Sequence, residues 1–455
     1  MHRYLFYIAI GAFLLSACTQ PSQEKSLETT KKIQPLDWLL KDDSLHRHVE
    51  INETGIALYA SAEDREAGLV ECRIYPQEYA FTAQLFQQLA PDSLLSLYQA
   101  KGLKKWTQIL GTDVQVDSLP PFSFAPEATQ PMKGLKIALD PGHVSNTLAD
   151  AELEGKYMKM RGNRKKGKPP VAFFEPRLTL ATAWLIRDSL EKLGAEVLMT
   201  REVPGVGVRG RTFEEWKKEA KDSTLRAVAL ENDWPAEDLN YWLKKAGDKE
   251  LFKFFYNADD LRARAEKINA YKPDLTLVIH YNIHSPNWDI RDAMGFFRPA
   301  DTNYAMVFIP GGFIRNELAQ PEDRLALLRM LVTDDIAHSY TMAKSYIYQT
   351  EKVTGVPIVG QNSRLPYLDV FSIYTGAPGV YARNLSLTRK IWGPLIYGES
   401  LCQDSRSEVY ELNRQDFEVH GVKTSPRLID MANVYIGTVW AYARLRHQQE
   451  QKPQI

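Results

Sequence analysis

"LKIALDPGHV", residues Leu135 to Val144, joins an apolar run to Asp140, Pro141, Gly142 and His143. A short apolar run of this kind reads as a strand buried on both faces. Proline and glycine then turn the chain. One reading is a strand and a turn that carries a histidine by chance. The other is a metal ligand at the carboxyl end of a parallel strand, the edge where open α/β sheets hold their ligands. The remainder of the chain has to decide between them.

Downstream the pattern alternates. "PRLTLATAWLIRDSLEKLG" has helical spacing, with Leu178, Ala181 and Leu185 on one stripe, Ile186, Leu190 and Leu193 beside it, and Gly194 as a stop. "AEVLMT" reads as a strand, "DDLRARAEKINAYKP" as a helix, and "DLTLVIHYN" and "AMVFIP" as strands. "EDRLALLRMLVTDDIAHSYTMAKSYIYQTE" reads as helical, "GPLIYGE" as a short strand and "SPRLIDMANVYIGTVWAYARLRHQQ" as a closing helix. Short apolar strands between helices predict an α/β fold with a mostly parallel sheet and helices on both faces. Two insertions interrupt the alternation, at about 144–174 and 203–256. The first contains the basic stretch "RGNRKKGK", Arg161 to Lys168, and the second has helical patterning. Loops of this length serve as lids or binding walls more often than as core.

Polar residues gather at the predicted strand ends. His143 follows the first strand, Glu175 opens a helix, His280 ends "LTLVIH" and Glu399 ends "PLIYGE". Two imidazoles and a carboxylate are the ligand set of a hydrolytic zinc site with one open position. A further carboxylate can take a proton from water and pass it to a leaving amine. Each residue also has a plainer reading: a hydrogen-bonded histidine, a carboxylate favoured at a helix start, or a surface glutamate with Glu408 or Glu411 as the base. His284 is a substrate contact or a loop residue.

"KIALDPGH", "FFEPRLTLA", "RARAEKINAYKPDLTLVIHYN" and "GPLIYGE" resemble, in that order, the motifs of the zinc-dependent N-acetylmuramoyl-L-alanine amidases of the amidase-3 type. The resemblance runs from Lys136 to Asn413. It implies His143, Glu175 and His280 as ligands of one zinc ion and Glu399 as catalytic base. It also implies Asn282 as a substrate contact, Arg262 as the match to a family arginine, and cleavage of the amide between N-acetylmuramic acid and L-alanine in peptidoglycan. The flanks depart from the pattern. Val144-Ser145 stands where the family has Gly-Gly, and "ESLCQD" stands where a glycine and a phenylalanine follow the glutamate.

The N-terminus places this chemistry. "MHRYLFYIAIGAFLLSAC" has a basic start, an apolar run too short for a membrane span, and small residues before Cys18. "LSAC" resembles the lipobox of bacterial lipoproteins, which implies Cys18 as the lipidated residue and a membrane-anchored envelope protein facing the periplasm or cell exterior. Residues 19–35 read as a flexible tether, 36–117 as a small α+β region of unknown role, 118–131 as a proline-rich linker, and 132–447 as the catalytic domain. Cys72 and Cys402 are either free thiols or one disulfide. The chain has 455 residues, 44% hydrophobic and 25% charged, enough for two or three domains. Net charge is −1, which argues neither for nor against nucleic acid, and there is no long basic tail; the expected partners are peptidoglycan and a membrane, not nucleic acid. Two alternatives stay open: a zinc hydrolase of another amide or peptide bond, and a non-catalytic peptidoglycan-binding lipoprotein.

Overall fold

In the computed structural model the described residues are 36–101, 124–163, 165, 167–284, 292–360 and 365–450. Cys18, the signal segment, the tether and the first part of the proline-rich linker lie outside them. Among the described residues no helix is long and apolar enough to cross a membrane.

Seven strands form the central sheet: β1 (Lys136–Pro141), β2 (Glu196–Met199), β3 (Leu275–Asn282), β4 (Met306–Ile309), β5 (Ile373–Tyr374), β6 (Val380–Ala382) and β7 (Leu395–Cys402). Their order is β5-β6-β4-β7-β3-β1-β2. The half that carries the motifs, β2, β1, β3 and β7, is parallel throughout. β4 runs antiparallel to β7 and parallel to β6, and β5 closes the edge antiparallel to β6. The fold is therefore mixed α/β with a mostly parallel sheet, as the alternation predicts.

Alternate side chains feed two cores. Ile137, Leu139, Leu275, Leu277, Ile279 and Ile396 face α1 (Glu175–Lys192), α4 (Asp335–Thr354) and α5 (Arg427–Glu450). Ala138, Val278 and Leu395 face Ala265 and Ile268 of α2 (Asn257–Tyr271) and the turn Leu387–Ile391. All eight residues of β3 are buried, which is why its sequence runs apolar without alternation.

Three details differ from the sequence reading. The helical stretch after β4 divides into two helices, α3 (Pro321–Val332) and α4, because Thr333 is extended and its hydroxyl donates back to the Arg329 carbonyl. β7 does not end at Glu399 but continues to Cys402, with a register shift between the two. A strand at Val49–Asn52 joins Gly55–Leu58 and Cys72–Ile74 in a small antiparallel sheet. Cys72 and Cys402 are both buried and free.

The N-terminal region packs into the main core. Trp38, Leu45, Ile56, Phe86 and Leu94 belong to the same buried cluster as Leu327 and Leu328 of α3. Arg324 of α3 grips Glu71 with two bonds, 2.6 and 2.7 Å, and Tyr98 donates to the same carboxylate. The insertion at 203–256 is helical, with its own cluster of Phe213, Trp216, Leu225, Leu251, Phe252, Phe255 and Tyr256. The insertion at 144–174 holds a short helix, Leu148–Glu154, and a hairpin, Tyr157–Met160 paired with Val171–Phe174.

Candidate metal centre

β1 delivers His143 through a turn that two buried arginines lock. Arg264 of α2 donates to the carbonyls of Pro141 and His143, both at 2.8 Å, and pairs with Asp260 at 2.7 Å and Asp140 at 3.3 Å. Arg201 donates to the carbonyls of Pro141, Gly142 and Pro176 at 3.2, 3.0 and 3.1 Å. Asp140 also accepts from Thr200, 2.5 Å away. It thus anchors the turn through α2 and the end of β2. Arg262, the arginine singled out from the sequence, lies at the surface beside Asp259. The supporting arginine is Arg264, two residues on and facing the sheet.

Two backbone features aim the histidines. His143 itself has φ of +64°, a left-handed conformation that costs an L-residue about 1–2 kcal/mol. The arginine bonds to neighbouring carbonyls hold it there. Gly142 does not take a positive φ; its role is the missing side chain. A Cβ at Gly142 would fall 2.3 Å from Cε1 of His280, so the ring lies against bare backbone.

His143, Glu175 and His280 converge, with one ligand atom from each within 4.8 Å of the others. This buried group could hold a metal ion. His143 Nδ1 lies 3.1 Å from Glu154 Oε1, which leaves Nε2 to face inward. That nitrogen is buried, has no hydrogen-bond partner, and sits 3.3 Å from Glu175 Oε1. Glu175 Oε1 is 3.0 Å from His280 Nδ1 and accepts from the Tyr281 amide at 3.1 Å. Glu175 Oε2 accepts from Gln403 at 3.2 Å. The rings of His143 and His280 meet edge to face, 4.7 Å apart, and His280 stacks on Tyr397 at 4.3 Å. An inward imidazole nitrogen without a partner beside a carboxylate and a second imidazole fits a dication.

Electrostatics divide the four titrating groups. Burial, with the neighbouring charge of His143, drives His280 down to about 3, so its imidazole is neutral, as ligation requires. Burial works against charge on His143 too, but Glu175 and Glu154 raise it above its ordinary value. Glu175 is held well below the carboxylate range because His143 outweighs the cost of burial. Glu399 moves the other way, to about 8, through burial and the like charge of Glu175.

Glu399 is the register partner of His280 on β7, so both side chains leave the same face of adjacent strands. Its near neighbour Gly398 faces the other side, where a Cβ would strike the Tyr435 hydroxyl at 2.2 Å. Glu408 pairs with Arg427 and Asn303, and Glu411 with Arg414 at the surface, so neither joins the cluster. Asn282 is buried two residues past His280. Its Oδ1 accepts from the Ile283 amide, and its side chain also bonds Tyr367. His284 sits at the same strand end, its amide donating to Asp404 and its ring against Tyr304.

The residues that sequence reasoning missed are the ones that orient the ligands: Glu154, Gln403, Arg201 and Arg264. Glu154 lies in the first insertion and Gln403 in the divergent flank after Glu399, outside the quoted motifs. Arg264 lay within a quoted motif, two positions from the arginine chosen.

No family model matches the chain, and no curated protein matches it. Among solved structures, neighbours are N-acetylmuramoyl-L-alanine amidases. The CwlD amidase of Clostridioides difficile, solved in complex with the GerS lipoprotein, is 16% identical over 68% of this chain and 99% of that one, with a TM-score of 0.35. AmiC2 of Nostoc punctiforme is 14% identical over 69% and 97%, TM-score 0.33. The catalytic domain of CwlV from Bacillus (Paenibacillus) polymyxa is 12% identical over 68% and 97%, TM-score 0.32. Likeness at this level does not assign the chain to a family.

Proposed function

We propose that this chain is a zinc-dependent N-acetylmuramoyl-L-alanine amidase of the bacterial envelope, anchored to a membrane through a lipid on Cys18. The observation that carries the reading is the buried, inward Nε2 of His143, 3.3 Å from Glu175 and converging with His280, with Glu399 in register beside them. His143, Glu175 and His280 would hold the metal. When bound, zinc polarises an amide carbonyl and makes water nucleophilic near pH 7, its pKa falling to about 7.

The chain's own residues do the rest. Glu154 and Gln403 keep His143 and Glu175 oriented. Glu399 has no hydrogen bond or ion pair among the described residues, so its carboxylate is free to meet water and substrate. It takes the proton of the attacking water and delivers it to the leaving L-alanine nitrogen. Asn282, buried two residues past His280, contacts the substrate.

The test uses the zinc-loaded chain, a soluble N-acetylmuramoyl peptide and mass spectrometry of the products. The expected pair is N-acetylmuramic acid with a free carboxylate and a peptide beginning with a free L-alanine amine. His143→Ala or His280→Ala should lose stoichiometric zinc. Glu399→Gln should keep zinc and lose rate on the order of 10²-fold or more. Full zinc in either histidine variant would overturn the ligand assignment, and unchanged turnover in Glu399→Gln would remove the base. For the anchor, Cys18→Ala should leave the membrane fraction, because acyl chains supply most of such affinity.

One observation favours a second reading, a zinc hydrolase acting on another amide. Val144, where the amidases have glycine, is buried in the aromatic cluster of the insertion, so the wall beside His143 is built differently. Muropeptides left intact while other peptides are cut would decide for it.

A further inference from the structure

Tyr367 lies outside every motif that the sequence offers, in the short helix Pro366–Phe371. Its ring is buried in a cluster with Tyr304, Met306, Phe308 and Cys402. Its hydroxyl is 3.3 Å from the sulfur of Met306. Met306 stands directly opposite Glu399 in the antiparallel pair of β4 and β7. His280 is the partner of Glu399 on the other side, in the parallel pair of β7 and β3. His280, Glu399 and Met306 therefore stand abreast on three neighbouring strands, and partners in register project from one face. Asn282 lies two residues past His280 and shares that face, because side chains alternate along a strand. The Tyr367 hydroxyl also bonds the Asn282 side chain. The phenol thus touches residues of the strands on both sides of β7, over the face from which Glu399 projects.

Each bond has one possible direction. The Asn282 Oδ1 accepts from the Ile283 amide at 2.8 Å. The Tyr367 proton goes to the Met306 sulfur. The phenol oxygen is then left to accept, and the donor that the Asn282 side chain has to offer is Nδ2. The bonds run from Asn282 to Tyr367 to Met306. Tyr367 keeps its proton, since burial and then the charge of Glu399 push the phenol above its ordinary value. With its oxygen held by Ile283 and its nitrogen by Tyr367, the Asn282 amide cannot flip. An amide nitrogen carries two hydrogens, so one remains to be given.

Resting on the amidase reading, we propose that Tyr367 is a positioning residue, whose Oη fixes Nδ2 of Asn282 so that the second hydrogen donates to an amide carbonyl oxygen of the substrate. The contact selects an acceptor at that point beside Glu399. A substrate group that is itself a donor there sets two hydrogens against each other and binds poorly. Tyr367 makes and breaks no bond of the substrate, and the proton still passes through Glu399. The hydrogen bond is present in ground state and transition state alike, so it acts on binding rather than on turnover.

The experiment builds a cycle on the zinc-loaded full chain from Tyr367→Phe, Asn282→Ala and the double variant, and measures KM and kcat on a soluble N-acetylmuramoyl peptide. Tyr367→Phe keeps the ring in its cluster and removes only the hydroxyl. It should raise KM about fivefold, within the usual worth of one hydrogen bond, with kcat within about twofold. In the Asn282→Ala background the same substitution should change KM by less than about twofold, since nothing remains for Tyr367 to aim. Zinc content and thermal unfolding of Tyr367→Phe should match the wild type. The same loss in both backgrounds, or no loss in either, overturns the proposal and leaves the amidase reading intact. Lost zinc or early unfolding in Tyr367→Phe does the same, because Tyr367 would then be a support of the fold. A zinc-loaded wild-type chain that leaves the peptide uncut overturns both.

Discussion

The turn that carries His143 and the helical insertion at 203–256 touch through Val144, yet opposite means hold them. The turn is fixed by buried ions. Arg264, Arg201, Asp140 and Asp260 are all buried, and the two arginines donate to three successive backbone carbonyls while the two carboxylates accept from Arg264. The insertion is fixed by rings: Phe213 stacks on Trp216 at 5.9 Å and meets Phe252 at 5.0 Å. Its helix Ala236–Lys244 buries no residue, and Leu230 is 82% exposed. Directional bonds specify the position of an imidazole that ligates. Aromatic packing gives cohesion but specifies position loosely, which suits a wall beside a site.

That contrast breaks first at Arg264. Arg264→Leu leaves the Asp140 and Asp260 charges without their partner, and removing one side of a buried pair costs about 3–5 kcal/mol. Thermal or denaturant unfolding should show the loss, with zinc binding lost as well. Phe213→Ala should cost about 3 kcal/mol through the cavity it opens. Zinc content should survive, because no ligand or ligand-orienting bond belongs to that cluster. If zinc were lost at Phe213→Ala, the two regions would be one cooperative unit. Gly142→Ala should cost about 1–3 kcal/mol, since its Cβ must displace the His280 ring. Its distinguishing sign is weaker zinc affinity out of proportion to the stability change. Arg262→Ala marks the bottom of the scale, within about 0.5 kcal/mol, because its ion pair with Asp259 is exposed. A large loss there would restore the arginine first read from the sequence.

The sheet was legible because its period is local. β1, β2, β3 and β4 each announce themselves as apolar runs, and α1 carries its stripe within one turn's spacing. The break between α3 and α4 was not legible, since Thr333 and Asp334 are tolerated inside helices and only their surroundings make the chain turn. His143, His280 and Glu399 could be picked out because the parallel strands that carry them bring their carboxyl ends toward one edge, and Glu175 because it opens the next helix. Glu154 and Gln403 could not, since nothing in their own neighbourhood marks them as partners of residues 11 and 228 positions away.

What the sequence by itself determined is the alternation, the α/β class and the placing of His143, Glu175, His280 and Glu399 at or near strand ends. These follow from hydrophobic period and turn chemistry, which short windows contain. Only the tertiary structure decided which arginine of α2 faces the sheet, that His143 rather than Gly142 takes the left-handed backbone, and that the N-terminal region shares the main core. Each of these depends on groups brought together from distant parts of the chain, where burial and charge are set by neighbours that no local pattern names.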